Sequence, residues 1–172
     1  AGVLSGQSVT LSKAGTLVTI TATDHAGTGK TGVSGTFTVN PGALDHFAVT
    51  TPGTQTAGTA FAITTITAQD ANNNTVTGFI GTVTLTETGS GTGGTVTPSP
   101  SSAFVAGVRA GESITLTKSG AAVTITVDDG ASHTGVSGAF LVNPGALDHF
   151  AVTTPGTQTA GTAFTGPTIT AQ

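Results

Sequence analysis

Three groups of residues have the types and spacing to do chemistry. The group richest in oxygen is Asp70, Asn72 and Asn74 in the turn D-A-N-N-N, together with Asp128 and Asp129 in D-D-G. Calcium takes about six to eight oxygen ligands from such side chains and from carbonyls. These five residues are therefore the calcium candidates, and Asp and Asn equally favour plain turns. Asp45-His46 and Asp148-His149 form a second group, each resembling half of an acid–base dyad. Alternation along a strand would turn neighbours such as Asp45 and His46 to opposite faces. No cysteine is present and no serine sits in a G-x-S-x-G turn, so no nucleophile, base and orienting group converge. The sequence reads as a non-enzyme. Lys13 in K-A-G and Lys118 in K-S-G form the third group. They invite the thought of a Lys–Asn crosslink, against the simpler reading of an exposed turn lysine.

The elements that position these residues are repeated. Residues 41–61 recur unchanged at 144–164, and VSGTFTVNPGALDHF at 33–47 corresponds to VSGAFLVNPGALDHF at 136–150. Upstream, AGVLSGQSVTLSKAG at 1–15 corresponds to AGVRAGESITLTKSG at 106–120, with a two-residue deletion between the blocks. A unit of just over one hundred residues is the size of a small domain. Under this correspondence Asp129 is matched by Asp24 but Asp128 by Thr23, which weakens the calcium reading.

Within the unit the apolar period is 2, as in Val123, Ile125 and Val127 alternating with Thr, which is the strand signal. Turn residues separate the runs and predict seven antiparallel strands at 43–50, 61–69, 75–79, 81–87, 111–117, 121–128 and 134–142. In 61–69 the apolar positions slip by one residue, which predicts a bulge at Thr64 and Thr65. The eight phenylalanines fall in or beside strands and read as core. The expected fold class is all-β, as tandem immunoglobulin-like antiparallel β-sandwiches.

Composition excludes several functions. Charged residues make up 7%, against about 25% in ordinary soluble domains, while apolar content is ordinary, so the chain is expected to fold. Net charge is −4 and the four basic residues do not cluster, so no nucleic-acid partner is expected. No apolar run approaches the roughly 18 residues of a membrane helix. Cys, Met, Trp and Tyr are absent and Thr is abundant, a profile that fits long extracellular bacterial repeat proteins.

The runs GALDHFAVTTPGTQTAGTAF, ITAQDANNNTVTGFIGTVTLT and GVSGAFLVN resemble the bacterial immunoglobulin-like repeats of very large surface proteins, such as invasin- and intimin-type adhesins. The resemblance implies extracellular or cell-surface stalks and spacers, with neighbouring copies of the repeat as partners. On this reading residues 1–40 supply the last three strands of one unit, 41–143 a complete unit, and 144–172 the first two strands of the next. Two explanations fit: a window on a longer array, or partial sandwiches that complement each other between chains and build a fibre. The junctions are Asn40-Pro41-Gly42 and Asn143-Pro144-Gly145, where proline restrains its own backbone and the residue before it, predicting a semi-rigid rod. The alternative is an adhesin module binding a host or matrix partner through loops 87–102 and 128–134.

Overall fold

The computed structural model describes residues 2–91 and 93–172, and the chain is all-β. In the first repeat, β1 (Gly15–Val18) pairs with β4 (Phe37–Val39), and β2 (Thr21–Thr23) with β3 (Thr31–Val33). The central repeat holds β5 (His46–Val49), β6 (Gln55–Thr56), β7 (Phe61–Gln69), β8 (Thr84–Thr88), β9 (Val96–Thr97), β10 (Val108–Leu116), β11 (Gly120–Asp128), β12 (Thr134–Val136) and β13 (Phe140–Asn143). The third repeat contributes β14 (Phe150–Val152) and β15 (Ile169–Ala171), which pair antiparallel. Among the described residues no helix is long and apolar enough to cross a membrane.

Two sheets of the central repeat enclose the core. One runs in the order β5-β7-β10-β9; in the other β11 carries β8, β12 and β13, and β13 carries β6. Ile63, Ile66, Ile114, Val123, Ile125 and Val127 are completely buried between them. Each such side chain contributes roughly 1.5–3 kcal/mol on leaving water. Phe79 and Phe104 both meet Phe47 edge-on, at ring-centroid distances of 5.2 and 5.7 Å.

Several strands differ from expectation for local reasons. The run 75–79 makes only a bridge from Thr75 to Gln69 rather than a strand. The run 134–142 is split because Ser137 turns its hydroxyl to accept from the Ile125 amide (3.0 Å) and Gly138 N–H donates to Thr51 Oγ1 (2.8 Å). Thr51 lies where the chain crosses from β5 in one sheet to β6 in the other. There β6 pairs parallel to β13, so the sandwich is not wholly antiparallel. The apolar slip in β7 is present, with both Ile63 and Ile66 buried, yet β7 and β10 keep one register throughout. A matching slip in β10 at Ala110 and Gly111, where Gly111 adopts φ +62°, absorbs it. No bulge is needed.

The copies reproduce pairing in detail. Gly15↔Val39 and Val18↔Phe37 are the counterparts of Gly120↔Val142 and Val123↔Phe140, including the irregularity between them. Residues 3–11, counterparts of β10, form no strand, while the two later expected runs of the first repeat are each split, into β1 and β2 and into β3 and β4. In the central repeat β10 is held between β7 and β9, and a strand without such neighbours has little to stabilise it.

Candidate functional site at the joint between repeats

The D-A-N-N-N turn is built around one carboxylate. Asp70 Oδ1 accepts from the amides of Asn72 and Asn74, both at 2.9 Å, and Oδ2 accepts from Asn74 Nδ2 at 2.9 Å. The Asp70 amide donates to the Asn74 carbonyl (3.0 Å), and Asn73 takes a left-handed φ of 60°, which asparagine tolerates. Oδ2 also accepts the amide of Gly42 at 2.7 Å, tying the turn to the Asn40-Pro41-Gly42 junction. The Asn74 side chain and backbone amide, helped by those of Gly42 and Asn72, outweigh burial and hold the Asp70 carboxyl well below the usual carboxylate range.

Asn74 then reaches the preceding repeat. Its Oδ1 accepts the Ala14 amide at 3.0 Å and its Nδ2 donates to the Ser12 carbonyl at 2.9 Å. Lys13 Nζ donates to the Asn72 carbonyl at 3.2 Å. A side-chain amide thereby reads one donor and one acceptor of the Ser12–Ala14 turn, as a strand edge would. The cleft between the repeats is walled by Gly15, Val39, Asn40 and Pro41 on one side and by Asn74, Thr75 and Thr77 on the other. Lys13 serves this joint through a hydrogen bond to backbone.

The other calcium candidates lie in a separate loop. Asp128 Oδ1 accepts from Gly130 N–H at 2.7 Å, and Asp129 Oδ1 from Ala131 N–H at 2.8 Å. Asp129 Oδ2 meets His133 Nδ1 at 2.7 Å. Burial pushes the Asp129 carboxyl up, but the His133 ring and the amides of Ala131 and His133 outweigh it, and the net shift is downward. The donors that face Asp70, Asp128 and Asp129 are N–H groups, whereas a calcium cage presents oxygens. Among the described residues no three His, Asp or Glu side chains gather to hold a metal ion.

The Asp–His pairs need a correction. Asp45 and His46 do not diverge: His46 Nδ1 lies 2.9 Å from Asp45 Oδ2, and Nε2 lies 3.1 Å from Gln69 Oε1. Strand alternation does not apply because β5 begins at His46, leaving Asp45 in the lead-in. The pair recurs at Asp148 and His149, again at 2.9 Å.

Asn40, Pro41 and Gly42 are legible in the sequence as a junction and Asn74 as a turn residue beside it, but the bonds from Asn74 to Ser12 and Ala14 are not. Those partners lie about sixty positions apart, and the one available signal was that a K-x-G turn and an N-P-G junction recur together in both repeats. No protein-family model, no curated protein and no solved structure matches the chain.

Proposed function

We propose that the chain is a structural stretch of an extracellular bacterial filament or stalk, made of tandem immunoglobulin-like sandwiches and acting as a semi-rigid spacer without enzymatic activity. The observation that carries this reading is the joint, where Asn74 and Lys13 bind one repeat to the next while Asp70 fixes the connecting residue Gly42. The sheet orders support the fold assignment. With β5 and β6 as two halves of one first strand, they correspond to the ABED and CFG sheets of a seven-stranded immunoglobulin sandwich. The surface location rests on the sequence resemblance and the composition. An adhesive role has little to stand on, because the one aromatic beside loop 87–102, Phe104, is 2% exposed.

Residual dipolar couplings and small-angle scattering on the chain test the spacer reading. The first and central repeats should share one alignment frame, and Asn74→Ala should broaden their relative orientation. Repeats that tumble independently in the parent chain would end it. Strand complementation between chains is a second reading, favoured by one observation. Residues 3–11 lie outside any strand, and β15 carries no partner on the edge that corresponds to the β10-facing edge of β7 among the described residues. Sedimentation that stays monomeric at millimolar concentration would dismiss it.

A further inference from the structure

The turn that joins β10 to β11, Thr117-Lys118-Ser119, is the counterpart of Ser12-Lys13-Ala14 in the first repeat. In the first repeat both backbone groups that the turn offers are taken, the Ala14 amide and the Ser12 carbonyl by Asn74. In the central repeat the corresponding Ser119 amide and Thr117 carbonyl have no hydrogen-bond partner among the described residues. Thr117 and Lys118 are exposed. The turn borders a cleft also lined by Ala57, Pro144, Gly145, His149, Ala171 and Gln172, as the Lys13 turn borders the cleft beside Asn40 and Pro41. The second junction therefore reproduces the receiving half of the first joint.

We propose that the Thr117–Ser119 turn is a receptor for a second copy of the Asp-Ala-Asn-Asn-Asn turn, presented by a neighbouring unit of this repeat. The proposal rests on the tandem-repeat reading above and names the contact by which it continues. The last asparagine of the incoming turn gives its amide oxygen to the Ser119 N–H and its amide N–H to the Thr117 carbonyl. The Lys118 ammonium donates to the carbonyl of the turn's first asparagine. Recognition runs through backbone atoms, so the changes from Ser12 to Thr117 and from Ala14 to Ser119 leave it intact. The lysine, whose side chain does take part, is the same in both turns. The ligand arrives preformed, because the aspartate of the turn already accepts the amides that shape it. The chain's own Asp70–Asn74 turn is not the occupant, being engaged by residues 12–14.

The test extends the chain after Gln172 with Asp-Ala-Asn-Asn-Asn-Thr, the sequence that follows Gln69, and measures amide hydrogen exchange by NMR. A control extension carries alanine in place of its last asparagine. With the first extension the Ser119 amide should exchange about tenfold more slowly, and with the control it should not. The Ala14 amide reports on the joint already present, and Asn74→Ala should speed its exchange by a similar factor. A Ser119 amide indifferent to the extension, while Ala14 still depends on Asn74, overturns the receptor and leaves the joint standing. An Ala14 amide indifferent to Asn74→Ala overturns the joint and the receptor together.

Discussion

Arg109 and Glu112 supply a double-mutant experiment that the repeat has already written. Both lie on β10; Arg109 Nε contacts Glu112 Oε2, and Glu112 Oε1 accepts the Ser102 amide at 3.2 Å. The Glu112 side chain is 2% exposed and that of Arg109 26%. Their counterparts in the first repeat are Leu4 and Gln7, so the two charges are present together or absent together. Arg109→Leu leaves a buried carboxylate with a single backbone donor. Removing one partner of a buried pair costs about 3–5 kcal/mol, and the partial exposure of Arg109 places the expectation at the lower end, about 3 kcal/mol. Glu112→Gln keeps an acceptor for Ser102 and leaves the guanidinium within reach of water, so about 1 kcal/mol is expected.

The double variant Arg109→Leu/Glu112→Gln installs the residue types found at Leu4 and Gln7, removes both charges at once and should fall within about 1 kcal/mol of the parent. The coupling is then about 3 kcal/mol, far above the additivity error for independent sites. With no Trp or Tyr present, urea unfolding followed by far-UV circular dichroism is the suitable assay. A double variant as unstable as the two single losses combined would refute the reasoning, because the two side chains would then contribute independently rather than as a coupled pair.

Two further expectations use the same internal comparison. A Cβ at Gly135 would collide with the backbone of Phe47, whose carbonyl carbon would lie 2.8 Å away, while its counterpart Gly32 has open space around it. Gly135→Ala should therefore destabilise the central repeat by about 2 kcal/mol or more, and Gly32→Ala should be silent, as read by the same unfolding curves. For Asp70, a folded-state carboxyl held below its unfolded value contributes stability that is present above about pH 4 and lost as pH falls through the folded value. Asp70→Asn should lower the parent's midpoint at pH 7 and flatten its decline below pH 4; parallel curves would contradict the role given to this carboxylate.

The long strands were legible because Val, Ile and Leu alternate with Thr over enough residues to fix a period, and β7 spans 61–69 as expected. β6 and β9 were not, since each is two residues long and sits among glycine, proline and threonine, where no period can develop. The parallel pairing of β6 with β13 depends on the chain changing sheets near Thr51, a three-dimensional event that leaves no local trace. Asp70 was legible as a turn-former, for reasons that lie within five residues. That its carboxylate also holds Gly42, and that Asn74 holds Ala14, depends on strands being stacked into place, and composition near the turn carries no information about it.

The two copies of residues 41–61 separate what sequence sets from what context sets. Their strand pairing is the same: Phe47 lies opposite Ala68 as Phe150 lies opposite Ala171, and Val49 opposite Ile66 as Val152 opposite Ile169. Register is therefore a property of the pair of strands, fixed by alternation and by the turns that join them. Burial is not. Phe47 is 2% exposed and Phe150 is 59% exposed, although the residues around them in sequence are identical. Phe47 is covered by Phe79, Phe104 and Gly135 of β12, whose counterparts the third repeat does not include here. Local sequence thus dictates a hairpin-like pair whose apolar face is correct but unfinished, and cooperation with later strands turns that face into a core. A repeat made this way gains its stability only as a whole unit. Contact between the first and central repeats then falls to a few polar groups at the joint, Asn74 with Ser12 and Ala14 and Lys13 with Asn72.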